Sequence, residues 1–181
     1  MSGFRRERSV VVVEFDEVEA SLLRHLVAEV SDLLEPGDLP GGDPLAELDR
    51  PPPEPPADPA LARLLPDGYR DDAEAAEEFR RLTESDLRRQ KRDNAARLLA
   101  DLPHEGGGEV RLDTETTERW LTALNDVRLA LGTRLGITEN MDEPDEDDPD
   151  ASAYVVYVWL SQLQDVLVQV ALDVQSDAQS G

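Results

Sequence analysis

Leu124-Asn125-Asp126-Val127-Arg128-Leu129-Ala130-Leu131-Gly132-Thr133-Arg134-Leu135-Gly136-Ile137 has the rhythm of a helix. With Trp120 upstream, Leu124, Val127, Leu131 and Leu135 recur on one side and predict a buried stripe. The same stretch holds Asn125, Asp126, Arg128, Thr133 and Arg134, which simple packing would not select. A glycine inside a helix costs roughly 1 kcal/mol relative to alanine. Gly132 therefore points to a close crossing with another helix. Asp113 is placed to cap this helix, with Glu115 and Glu118 in the first turn, where the helix dipole favours acids. Gly136 suits its C-terminal end.

Upstream, Glu109-Val110-Arg111-Leu112 alternates as a half-buried strand does. Its natural partner is the β-branched run Val10 to Val13, because a lone strand leaves backbone groups unpaired. Asp16 with Glu19 has the form of a capping box and opens a helix whose apolar positions include Val18, Leu22, Leu26, Val30 and Leu33. Pro36-Gly37 ends it. Leu61 to Leu65 suggests a short helix stopped by Pro66-Asp67-Gly68. A further helix begins at Asp71 or Asp72 and continues to Leu102, with a break or a bend at Thr83 to Asp86. Gly106-Gly107-Gly108 forms a flexible turn. The last helix, from Asp150, is apolar on nearly every side, through Tyr154, Val155, Val156, Tyr157, Val158, Trp159, Leu160, Leu163, Val166, Leu167 and Val170. Such a helix is expected at the centre of a bundle or in a dimer face.

The fold class is therefore mainly α: a helical bundle of about five helices with a small antiparallel β-strand pair. A single domain is expected over residues 1–181. It is interrupted by a mobile Pro-rich linker at 36–59, around Pro51-Pro52-Pro53-Glu54-Pro55-Pro56, and by an acidic loop at 138–150, and it ends in a frayed tail at 176–181.

Asp and Glu number 41 against 18 Lys and Arg, a net charge of −23. That charge repels a phosphate backbone, so DNA contact requires a partner or a local basic patch. No cysteine occurs, so a disulfide framework, a thiolate zinc site and a thiol switch are excluded for this sequence. His25 and His104 lack ligand-like spacing, and Pro144 and Pro149 interrupt the acidic run, which has no EF-hand glycine. No Ser–His pairing or phosphate loop stands at a recognisable spacing. No enzymatic activity, metal or cofactor is implied. The charged start of the chain does not read as a signal peptide, and Ser161, Gln162, Gln164, Asp165 and Gln169 weigh against a bilayer span for the last helix. A cytoplasmic protein is expected.

Arg88, Arg89, Lys91, Arg92 and Arg97, extended by Arg80 and Arg81, form the one basic patch along the chain. It is either a contact for phosphate or an acidic partner, or it is neutralised internally by acids such as Glu84. Arg128 either pairs with a neighbouring helix or points outward, with Arg134, to a partner. The candidate partner-binding residues are thus Arg80, Arg88, Lys91, Arg92, Arg128 and Arg134. Trp120, Tyr154, Tyr157 and Trp159 are candidates for the core or a homodimer interface.

Several segments in order resemble the AosR family of actinobacteria. They are Pro66-Asp67-Gly68-Tyr69, Glu74-Ala75-Ala76-Glu77-Glu78-Phe79-Arg80-Arg81-Leu82-Thr83-Glu84, Lys91 with Asn94-Ala95, Asn125 to Gly136, and Tyr157-Val158-Trp159-Leu160. The resemblance implies a regulator of the oxidative-stress response, linked to cysteine biosynthesis and acting with the transcription machinery, RNA polymerase or a sigma factor. Redox sensing in that family is ascribed to a cysteine pair, which this sequence lacks. An adaptor or assembly module for regulated proteolysis or sulfur transfer is the alternative expectation.

Overall fold

The computed structural model describes residues 3–7, 10–35, 54–69, 71–104, 106–138, 144–145 and 147–179, with 173–179 described by backbone alone. The elements in chain order are β1 (Gly3–Glu7), β2 (Val10–Phe15), α1 (Glu17–Leu33), α2 (Pro59–Leu64), α3 (Ala73–Asp101), β3 (Gly108–Leu112), α4 (Thr114–Arg134) and α5 (Ala151–Gln179). The molecule is mainly helical, and its sheet is antiparallel with order β1-β2-β3.

The expected strand pair is present, with Val11 opposite Leu112 and Val13 opposite Val110. A third strand joins it. In β1 the sequence Gly-Phe-Arg-Arg-Glu shows little apolar alternation, yet it pairs with β2 from Gly3↔Glu14 to Glu7↔Val10. Its outer face is held by charge instead. Arg5 bonds to Glu7 and Glu109, and Arg111 bonds to Glu7 at 2.6 Å across the sheet. Val12 lies between Arg5 and Arg111 in register and is fully buried, as expected where arginine stems lie over an apolar side chain. The other face carries Val11, Val13, Phe15, Val110 and Leu112 into the core.

Aspartates start four helices, each accepting from backbone N–H groups of the first turn. At α1 the capping box is complete. Glu19 N–H donates to Asp16 Oδ1 at 2.9 Å, and Asp16 N–H donates to Glu19 Oε2 at 3.1 Å. The Glu19 amide holds the Asp16 carboxyl below its ordinary pKa, and the Thr116 amide does the same for Asp113. Asp58 caps α2, so the Pro-rich segment gives way to helix at Pro59; residues 36–53 of that segment, including Pro36-Gly37, lie outside the described residues. The helix α3 runs unbroken through Thr83 to Asp86.

At the end of α4, Gly136 takes a left-handed conformation with φ 64°. Its N–H donates to Thr133 O, and Ile137 N–H donates to Gly132 O, so two terminal carbonyls are satisfied. Gly107 is fixed by crowding. A side chain there would meet Phe15 O at 2.4 Å and Asp16 Cα at 2.9 Å. The loop into β3 thus presses against the β2–α1 junction, and no Cβ fits between the two backbones.

The middle of the core belongs to α4, which packs against α1, α2, α3, α5 and β3. Trp120 is 1% exposed and stacks on Phe15 with ring centroids 6.0 Å apart. Its indole N–H donates to Asp101 Oδ2 at 2.9 Å. Of the two placements expected for the last helix, the centre of the bundle is therefore corrected. Among the described side chains of α5, only Leu160, Leu163 and Leu167 are fully in the core, and the helix lies at the periphery against α4, β1 and β2. The physical reason is that α4 presents buried residues on several sides, whereas α5 has one packed edge.

The acidic segment at 138–150 is described only in part, with 139–143 and 146 outside the described residues. Its last residues turn directly into α5, with Asp148 N–H bonded to Asp145 O and Ala151 N–H to Asp148 O. The backbone of α5 continues to Gln179, beyond the expected fraying point at 176.

Candidate interaction surface

The basic patch of α3 is organised as a ladder of ion pairs within the chain. Arg80 pairs with Asp67 of the Pro66-Asp67-Gly68-Tyr69 turn. That turn packs tightly on α3, with the Tyr69 and Phe79 rings edge to face at 6.1 Å. Arg81 pairs with Glu78 and Arg89 with Asp86. Arg88 donates through Nε and a terminal nitrogen to Glu84 Oε1, at 2.9 and 2.7 Å. Arg92 reaches Glu35 at the end of α1, at 3.2 Å. The sequence left open whether this patch serves a partner or is neutralised internally. In the structure, each of these arginines has an acid of its own chain.

Lys91, the only lysine, is placed differently. Its Nζ lies 2.5 Å from Asp126 Oδ1, and the two side chains are 14% and 4% exposed. Lys91 stands on the inward face of α3, and Asp126 flanks the apolar stripe of α4. Burial raises the Asp126 pKa above its ordinary value, with the Lys91 ammonium opposing that shift. Asp126 Oδ2 is buried with no hydrogen-bond partner among the described residues. This pair ties α3 to α4. The sequence suggested a helix-to-helix ion pair in this segment but placed it on Arg128. Arg128 is half-buried and points toward Asn125 Oδ1 at 3.4 Å. The available signal was a lone lysine matched to a lone acid beside an apolar stripe.

Arg134 is exposed at the end of α4 and Arg97 is exposed on α3, both without an acid partner among the described residues. Neither joins the ion-pair ladder of α3 among the described residues. Among the described residues no group of three or more His, Asp or Glu is arranged to hold a metal ion.

The four aromatic candidates separate. Trp120 is core. Tyr154, Tyr157 and Trp159 are half-buried on α5. Tyr157 explains Gly132, since a methyl there would sit 3.0 Å from Tyr157 Cε2, so the expected close helix crossing is present. Trp159 packs on the core with one side open. Beyond it, Val155 is 65% exposed, and Val166, Val168 and Leu172 are also exposed. The span Ala151–Leu172 is long and apolar enough to cross a membrane by length and composition. It is nevertheless docked through its leucines onto the sheet and α4.

These features define a small, strongly acidic protein whose helices cover one face of a three-stranded sheet, with most of its α3 arginines paired to acids of the same chain and an apolar helix at its edge. The family model described as "Domain of unknown function (DUF2017)" matches residues 1–171. The oxidative stress regulator AosR of Mycobacterium bovis is 34% identical over 174 aligned positions, covering 85% of this chain and 78% of that protein. The oxidative stress regulator AosR of Mycobacterium tuberculosis H37Rv gives the same values. No solved structure matches. The chain belongs to the AosR family.

Proposed function

We propose that this chain is a non-enzymatic, cytoplasmic regulator in the oxidative-stress response that acts by protein contact with the transcription machinery, RNA polymerase or a sigma factor. The observation that carries the role is the 34% identity, over most of the chain, to relatives named oxidative stress regulators. The physics of the surface supports the mode of action. A net charge of −23, with five of the six α3 arginines engaged by acids of the same chain, opposes DNA and favours the basic surfaces that DNA-binding proteins present. Cysteine metabolism is the output that fits the family resemblance. With no cysteine in the sequence, the oxidant is sensed by another component, and this protein relays the state of its partner.

Deleting the gene and profiling transcripts after peroxide challenge tests the role. Part of the induced response is expected to be lost and to return when this cysteine-free chain is restored. An unchanged profile would refute it. The adaptor reading is separated by capture on the purified chain: a protease or a sulfur carrier, rather than polymerase or a sigma factor, would then be the stoichiometric partner.

A further inference from the structure

On α5, residues 155, 159, 162 and 166 are Val, Trp, Gln and Val. Their spacings of four, three and four place them within an arc of about 60° on one side of the helix. Val155, Gln162 and Val166 are exposed, and Trp159 is half-buried. The stripe has two properties that together specify its occupant.

The first is electrical. Between Ala151 and Leu172 the only charged residue is Asp165, in a chain with a net charge of −23. Two copies of so acidic a molecule repel each other over most of their surfaces. They can approach closely only where charge is absent, and this helix provides such a surface.

The second property is symmetry. Read from either end the spacing is the same, and valine stands at both ends. A two-fold axis through the middle of the stripe, between Leu160 and Ser161, sets Val155 against Val166 of a second copy and Trp159 against Gln162 of that copy. The indole N–H is a donor and the Gln162 carboxamide oxygen an acceptor, so the polar pair is matched twice. Asp165 sits to the side of the stripe and does not face its own copy. A self-complementary patch of this kind is what an isologous interface requires.

We infer that a second copy of this chain docks on the outer flank of α5, in an antiparallel helix pair centred between Leu160 and Ser161. The inference stands apart from the regulatory role, because its assay contains only the purified chain. The interface covers three helical turns, so the dimer is in exchange with monomer rather than permanent.

The full chain is examined by sedimentation equilibrium from low to several hundred micromolar. The expected result is a rise from the 20.0 kDa chain mass toward twice that value. Val166→Glu and Val155→Glu should each weaken the dimer at least about tenfold, because each places a carboxylate in an apolar contact. Both positions are exposed, so an unchanged helical circular-dichroism signal checks that the monomer is intact. Orientation is read by cross-linking, which is clean because the chain has no cysteine. A short bis-maleimide spans the about 8–10 Å between packed helices. Val155→Cys mixed with Val166→Cys should cross-link, and neither variant alone should do so. A monomer at every concentration overturns the inference. So does self-cross-linking of Val155→Cys alone, which reports a parallel pair, or a dimer that both glutamate variants leave intact.

Discussion

Removing the Lys91 ammonium should destabilise the fold far more than removing the whole ion pair. At 2.5 Å and an effective dielectric of about 20, the gross attraction between Lys91 and Asp126 is about 7 kcal/mol. Desolvating two ions costs several kcal/mol each, so the net worth of the pair lies near zero. Breaking it is another matter, because Asp126 is 4% exposed and would keep a buried charge without a partner. Lys91→Met should therefore cost about 3–5 kcal/mol at pH 8. Asp126→Asn should cost less, about 1–2 kcal/mol, because the longer Lys91 side chain is 14% exposed and can turn its ammonium to water. The double variant Lys91→Met/Asp126→Val should return to within about 1 kcal/mol of the parent. Urea denaturation gives all three values and the coupling energy. The pH dependence has a fixed sign. Burial raises the folded Asp126 pKa above its unfolded value, so the folded state binds the extra proton, and lowering the pH from 8 to 5 should shrink the Lys91→Met penalty. Additive single effects within about 0.5 kcal/mol, or a Lys91→Met penalty that grows on acidification, would refute the reasoning.

Three further outcomes follow from local geometry. Gly107→Ala should lower stability by about 2–4 kcal/mol, because the new methyl meets the backbone of Phe15 and Asp16, which cannot rotate away; a thermal midpoint within a degree of the parent would contradict this. Trp120→Phe removes the bond to Asp101 and part of the stack on Phe15, and denaturation should report a loss of about 2–3 kcal/mol. Asp113→Ala should lower stability at pH 7, because the Thr116 N–H loses its acceptor. The folded Asp113 pKa lies below its ordinary 3.8, so the cap's contribution is present above that value and vanishes as pH falls through the folded pKa. Denaturation curves for parent and variant should therefore converge as the pH is lowered below the ordinary aspartate range, and a constant gap would show that the carboxylate is not the cap.

Much of the fold was legible because its signals are local. The Asp16–Glu19 box, the caps at Asp72 and Asp113 and the glycine end at Gly136 each follow from nearby residues, and Gly132 announced a close crossing without naming Tyr157 as its cause. The β2–β3 pairing was legible from alternation and from the need to satisfy backbone groups. The strand β1 escaped because its pairing rests on backbone bonds and cross-strand charges, with Phe4 alone packing against the core. Similar limits applied to α5. Uniform apolarity says that a helix avoids water, but not which element supplies the cover, and α4 already holds the centre. For the surface, helical spacing alone could not decide between a basic patch and a neutralised one. The deciding acids Asp67 and Glu35 lie on other elements, as does Asp126 opposite Lys91.

The proposed mode of action is the gripping of a basic protein surface of the transcription machinery by this acidic protein. Its most direct test is the binding of the purified chain to RNA polymerase, with and without sigma factors of the same organism, in low and in high salt. Binding at micromolar concentration or tighter is expected in low salt. It should weaken at least about tenfold as salt shortens the screening length from roughly 10 Å toward 3 Å. Absence of binding to any of these components in low salt, or binding to promoter DNA alone under the same conditions, would contradict the claim.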